Sequence, residues 1–273
     1  MKISNSYKIA ALVGLLVAIL AAVAVQTYIV RAPDDRIGTV LITGSNSGIG
    51  LRFARQYAAK GWTVIATHRR DTIPESLKSL SDQYEKVRVE TMDVQRHDQI
   101  DALAAKLQGT PIDLLINNAG ISYGVGDAAA QTFGTLNYEI LDVFMSTNAL
   151  GPVKVAESFL PHVAASHQKK IVNISSSSGR ITWSPSNSKG MWYRVSKAAL
   201  NNLMVSIVPA AKEHGIMVMM FEPGSVRFDT QKEIRPGQIE AEESVRSMIK
   251  TIERLTLEDT GRFLTRDGET QPW

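Results

Sequence analysis

From residue 38 onward, short apolar runs rich in β-branched residues alternate with longer stretches whose apolar positions recur at helical spacing. The runs Thr39–Thr43, Thr63–Thr67, Val87–Met92, Ile112–Asn117, Lys170–Ser175 and Met217–Glu222 are apolar nearly throughout. Such runs suit strands buried on both faces of a parallel sheet. Between them the spacing predicts helices over Ile49–Lys60, Pro74–Tyr84, His97–Gln108, an interrupted Tyr138–Ser166, and Met191–His214. Gly61 and Gly215 stand just past two of these, where the left-handed residue that ends a helix favours glycine. Repeated strand–helix alternation without a break in composition predicts an α/β domain, a single doubly wound parallel sheet with helices on both faces. A flavodoxin-like sheet holding another ligand shares this pattern, so the motifs must decide.

Ahead of that domain the pattern changes. Ile9–Val25 carries no charge, and the uncharged stretch runs on to Val30. At about 1.5 Å per residue, a helix of roughly 17 to 22 residues reaches ~25–33 Å, enough to cross the hydrocarbon core. Residues 9–30 are therefore expected to form an N-terminal hydrophobic helix that anchors the protein in a membrane. A basic segment, 1–8, precedes it and a polar linker, 31–37, follows. The competing reading is a cleaved secretory signal, with Lys2 and Lys8 at its start and Ala22-Val23-Ala24 at its end. Lys2 and Lys8 on one side and Arg31 and Arg36 on the other nearly balance the topology.

Composition narrows the chemistry. The 273 residues are 44% hydrophobic and 21% charged, which excludes a disordered chain. Of the net charge of +3, Lys2, Lys8, Arg31 and Arg36 against Asp34 and Asp35 account for most, so no basic stripe remains to track a nucleic acid. The absence of cysteine excludes disulfides, thiolate-bound metals and thiol nucleophiles.

Directly after the first strand stands Thr43-Gly44-Ser45-Asn46-Ser47-Gly48-Ile49-Gly50, opening a helix. Glycines there let the backbone turn sharply and approach a pyrophosphate, while the helix N-terminus offers N–H groups and a positive dipole end. The second strand ends in His68-Arg69-Arg70. No acid is present to accept from a ribose hydroxyl, and the Arg69 guanidinium suits a 2′-phosphate. Further on, Tyr193 and Lys197 are four residues apart on one helical face. A phenol with a free pKa near 10 becomes a useful acid at neutral pH only beside a positive charge, which the Lys197 ammonium supplies.

The glycine spacing is the form found in short-chain dehydrogenases/reductases, and from Gly38 to Trp273 the chain resembles that family, with a Rossmann-like sheet as the implied fold. The tyrosine motif Tyr193–Asn201 and the tail Gly261-Arg262-Phe263-Leu264…Pro272-Trp273 look like its C-factor/sniffer-type carbonyl reductase branch. The tail reads equally as a sheet-edge strand with an aromatic plug. The resemblance implies an oxidoreductase that moves hydride between NADP(H) and a carbonyl or secondary alcohol, with no metal. Tyr193 would be the general acid/base, Lys197 its modulator, and Ser176 the donor to the substrate oxygen, with Ser175 and Ser177 as alternatives. Asn148 would kink its helix and hold a water against Lys197. Cofactor contacts are implied at Gly44, Ser45, Asn46, Ser47, Gly48, Ile49, Gly50, Arg69, Asp93, Val94, Asn117, Ala119, Gly120, Tyr193, Lys197, Pro223, Gly224 and Val226. Ser47, where a second basic residue can stand, leaves NAD(H) use open.

Two departures from the family pattern matter. Ser176 and Tyr193 are farther apart than usual, so Arg180–Gly190 reads as an inserted loop over the site. Phe228 replaces the usual threonine after Val226, with Asp229 or Thr230 as substitutes. Tyr123, Trp183, Met191, Trp192 and the 228–239 segment are expected to wall an apolar pocket for a small, lipophilic substrate. A homodimer or homotetramer and a cytosolic catalytic domain are implied, an exported one being the alternative. A non-catalytic NADP-binding signalling or scaffold protein of the same fold is the rival function.

Overall fold

The protein's structure, a computed structural model, describes residues 36–122, 129–182, 185–227, 229 and 231–273. Seven parallel strands form one sheet: β1 (Thr39–Ile42), β2 (Thr63–His68), β3 (Val87–Thr91), β4 (Leu114–Asn117), β5 (Lys170–Ile174), β6 (Met217–Glu222) and β7 (Phe263–Thr265). Their order is β3-β2-β1-β4-β5-β6-β7, so the winding reverses between β1 and β4. Ligands of such sheets bind outside the carboxyl ends of the strands at that reversal.

Strand alternation divides the core in two. Val40 and Ile42 of β1 face one side with Val64, Ala66 and Met219. Covering them are α1 (Gly48–Ala59), α2 (Glu75–Gln83) and α8 (Ala241–Arg254), through residues such as Phe53, Leu77 and Met248. Leu41, Ile65, Leu115 and Val218 face the other side, beneath α3 (His97–Lys106), α5 (Gly151–Ala164) and α6 (Met191–Ser206). Both faces of every central strand are therefore dry, which explains the unbroken apolar runs.

One detail fills in the sequence expectation and two differ from it. The long stretch after residue 138 is a 3-10 turn, α4 (Leu141–Met145), a π turn at Ser146–Leu150, and then α5. Pro152, in the first turn of α5, has no N–H to donate back to the Asn148 carbonyl, so the ladder must loosen there. Gly151 lets this turn approach the chain after β3: an added Cβ would stand 2.6 Å from the Val94 carbonyl oxygen. Likewise, the helix expected over Met191–His214 breaks at Ile207 into α6 and α7 (Val208–Glu213), where Pro209 removes a ladder donor. Finally α8, absent from the expected helices, buries Ala241, Ser244, Val245, Met248, Ile249 and Ile252, a clear helical stripe.

The expected hydrophobic helix at 9–30 lies outside the described residues. Among those described, no helix is long and apolar enough to cross a membrane.

Candidate active site

The carboxyl ends of β1 to β4 open into a groove of about 650 Å³. Gly44, Asn46, Ser47, Gly48 and Ile49 line it from the turn after β1, and His68, Arg69 and Arg70 from the end of β2. Asp93 and Val94 enter after β3, Ala119 and Gly120 after β4, and Val226 after β6. Most of the expected cofactor residues thus converge on one concavity, though they come from five different strands.

The glycine turn is shaped by backbone. Gly44 and Gly48 hold φ of +66° and +55°, a left-handed conformation that a side chain resists. An added Cβ on Gly44 would lie 2.8 Å from Ala119 Cα, whereas one on Gly48 would meet nothing within 4 Å. The first residue therefore seals the turn against β4, and the second faces open groove. Ser47 makes no side-chain cap to α1, and the first turn of that helix carries no acid. Its N–H groups are consequently available to an anion. One of them holds an anion already: the Asp229 carboxylate accepts from Gly48 N–H at 2.7 Å and pairs with Arg52 at 2.8 Å. Burial pushes the Asp229 pKa up, but the Gly48 N–H and the Arg52 guanidinium outweigh it, leaving the carboxyl below its ordinary value.

Several of the expected contact residues have partners within the protein. Ser45 is buried, its Oγ donating to Ile42 O and its N–H to Thr67 O. Gly50 packs beneath Asn118 and the Gly44 carbonyl. Asn117 is buried in the sheet, with Nδ2 donating to Asn173 Oδ1 at 2.9 Å and to Pro152 O at 3.2 Å. Its neighbour Asn118, which the sequence reading did not single out, is the groove residue. Asn118 Nδ2 donates to Thr43 O and Gly44 O, while Thr43 Oγ1 accepts from the N–H groups of Asn118 and Ala119. Strand alternation is the signal that separates the pair: the last strand residue points into the sheet and the next one leaves it. The Pro223 carbonyl accepts from Ser244 Oγ, and Gly224 lies near Ile239 and Arg266; neither lines the groove.

At the β4 side the groove meets the reacting residues. A Cβ on Gly120 would stand 3.2 Å from Asn148 Oδ1 and 3.7 Å from Lys197 Nζ. Asn148, fully buried in the π turn, accepts from Ile121 N–H and donates to Ile121 O and Ser196 Oγ. Lys197 Nζ donates to Ile174 O at 2.8 Å and lies 6.0 Å from the centre of the Tyr193 ring. Burial pulls the Lys197 pKa down to about 8, so the ammonium persists at neutral pH.

The serines of the cluster differ in their partners. Ser175 is buried, and its hydroxyl donates to Asn201 Oδ1 at 2.6 Å. Ser176 is half-buried, caps the 3-10 turn Ser177–Gly179, and accepts from Ser178 N–H. Gly179 presses that turn onto α6: an added Cβ would lie 2.8 Å from the Lys197 carbonyl carbon. Of the expected pocket wall, Trp192 is buried, its Nε1 donating to Asn137 O and its ring edge-on to Tyr138. Tyr123, Trp183, Phe228 and Thr230 lie outside the described residues.

The fold and the sequence are shared with known proteins. The short chain dehydrogenase family model matches residues 38–239. The NADPH-bound carbonyl reductase from chicken fatty liver superposes with a TM-score of 0.79 at 30% identity, covering 87% of this chain and all of that one. A 1-hydroxy-2-glutathionyl-2-methyl-3-butene dehydrogenase of Rhodococcus sp. (strain AD45) is 29% identical over 87% of this chain and 100% of its own. The C-signal protein of Myxococcus xanthus is 32% identical over 63% of this chain and 99% of its own length.

Proposed function

Since the chain belongs to the short-chain dehydrogenase family, we propose that it is an NADP(H)-dependent oxidoreductase acting on a carbonyl/secondary alcohol pair, with Tyr193 as general acid/base. The observation that carries this reading is the Lys197 ammonium, set beside the Tyr193 ring and against Gly120 at the groove. A binding groove alone would need no such pair.

The residues present fit the dinucleotide. A carboxylate already sits on Gly48 N–H, in keeping with a turn that accepts an anion. Arg69 and Arg70 are exposed at the groove end of β2, suited to a 2′-phosphate. The chicken carbonyl reductase is described with NADPH bound, in keeping with that preference. Bound NADP(H) supplies or takes the hydride.

The chain's own residues handle the proton and the developing charge. Ser176, at the open end of β5, donates to the carbonyl oxygen and stabilises it as it becomes an alkoxide. The Tyr193 hydroxyl delivers the proton to that oxygen. Lys197, buried and charged, favours the phenolate left behind and so lowers the cost of the transfer. Asn148 fixes Ile121 and Ser196, holding the wall between groove and helix α6 in place.

The test combines carbonyl reduction, followed at the NADPH absorbance, with direct cofactor binding. Tyr193→Phe should lower turnover about 10³-fold and leave the NADPH Kd within about twofold, since the phenol is not needed to hold phosphates. Arg69→Asp should weaken NADPH about tenfold or more and spare NADH, as lost charge-assisted bonds to phosphate predict. Binding of NADPH by the parent protein with no turnover on any carbonyl would instead favour a signalling or scaffold role.

A further inference from the structure

The tail beyond β7 does more than close the sheet edge. After Phe263–Thr265 the chain turns back, with Thr265 N–H donating to Glu269 O and Gln271 N–H to Phe263 O. Trp273 stacks on buried Phe263, ring centres 5.6 Å apart and 22° from parallel. This places two acceptors beside the segment that leaves the Ser176 turn. Gln271 Oε1 accepts from Arg180 Nη1 at 2.5 Å. The main-chain oxygen of Trp273 accepts from both Thr182 N–H at 3.0 Å and Thr182 Oγ1 at 2.6 Å.

The turn is thereby fixed from two directions. From Ser175, bound to Asn201, to Gly179, pressed against the backbone of Lys197, α6 sets its position. On the outgoing side α6 offers no comparable bond to Arg180 or Thr182, and the tail takes over. Arg180 Nε is buried without a hydrogen bond, so the hold on this guanidinium falls to Gln271. A hydroxyl that must meet a developing alkoxide loses much of its value when displaced by about 1 Å.

We propose that Gln271 and Trp273 are positioning residues for the reaction: through Arg180 and Thr182 they hold the Ser176 turn in register with helix α6. The proposal rests on the reading of Ser176 as donor to the carbonyl oxygen. It predicts that the tail governs use of the carbonyl substrate and leaves the dinucleotide alone, because no tail residue lines the groove.

The test uses the full chain, with Gln271→Leu to remove the acceptor and Gln271→Glu to restore one for Arg180. Amide hydrogen exchange reads the turn directly, and steady-state kinetics with NADPH and a carbonyl panel read its consequence. In Gln271→Leu, exchange at Thr182 and over 177–180 should accelerate about tenfold, and kcat/KM for the carbonyl should fall about tenfold, with the NADPH Kd unchanged. Gln271→Glu should return both to near the parent values; a merely structural loss would show no such rescue. Unchanged exchange at Thr182 in Gln271→Leu overturns the proposal, as does faster exchange with unaltered carbonyl kinetics. If the parent protein reduces no carbonyl at all, the oxidoreductase reading fails separately, and the exchange data still decide whether the tail holds the turn.

Discussion

The two halves of the groove are built by different means. On the β1–β3 side the groove is shaped by backbone, through positive φ at Gly44 and Gly48 and the N–H groups of α1, with the exposed side chains of Arg69 and Arg70 at the rim. On the β4–β5 side it is made by buried side chains whose polar atoms are already engaged, as with Asn148, Ser175, Ser196 and Lys197. A cofactor's phosphates need only positive potential and N–H groups, which backbone supplies. A proton transfer needs side chains held to a fraction of an ångström, and only a connected, satisfied network holds them so.

The sharpest way to break this contrast is Asn148→Ala. It would strand the main-chain N–H and carbonyl of Ile121 and take a donor from Ser196 Oγ, which keeps its bond to Tyr193 O, at a stability cost of about 2–4 kcal/mol. Thermal unfolding should register that loss, and carbonyl turnover should fall about 10²-fold, while NADPH binding changes far less. An equal loss of binding and turnover would mean that the halves are not separately built.

A smaller effect follows from Lys197. Its pKa near 8, set by burial, lies below the ordinary 10.5, so the ammonium disappears as pH rises through 8. Carbonyl reduction should then decline with an apparent pKa near 8, by about tenfold per pH unit well above it. Stability moves the opposite way. Between pH 8 and 10.5 the unfolded chain binds more protons at this site than the folded one, so this residue's penalty is complete below pH 8 and is relieved as pH climbs. Comparing the melting temperature against pH for the parent and for Lys197→Met isolates that contribution; a rate profile flat to pH 9.5 would remove Lys197 from the proton transfer.

The smallest expected effect is on the backbone-built side. Asp229 occupies the Gly48 N–H that a phosphate would use, so Asp229→Ala should tighten NADPH binding by about threefold, a modest gain because the Arg52 pair is partly solvated. Titration of intrinsic fluorescence would measure it. Weaker binding in the variant would show Asp229 to be a brace for the turn rather than a competitor for it.

Much of this is legible in the sequence. The six expected strands lie within two residues of their expected ends; for β1, β2, β4, β5 and β6 the reason is burial on both faces, whereas edge strand β3 alternates Val87 and Val89 with Arg88 and Glu90. Tyr193 and Lys197 share a face by helical geometry alone. Helix α8 was equally legible from its stripe of Val245, Met248, Ile249 and Ile252, yet it follows a stretch rich in charge and glycine that reads as loop. The π turn is legible as the kink expected at Asn148, although its hydrogen-bond partners are not.

The sequence by itself determined the strands and helices and the chemistry available where each strand ends, since periodicity and turn preferences act over a few residues. Only the tertiary structure decided which of those groups meet. Asp229 reaches Gly48 across 181 residues, Arg180 reaches Gln271 across 91, and Asn118 rather than Asn117 faces the groove. Contacts of that range depend on how the whole sheet twists and how the helices seat upon it, and no local pattern of residues encodes that.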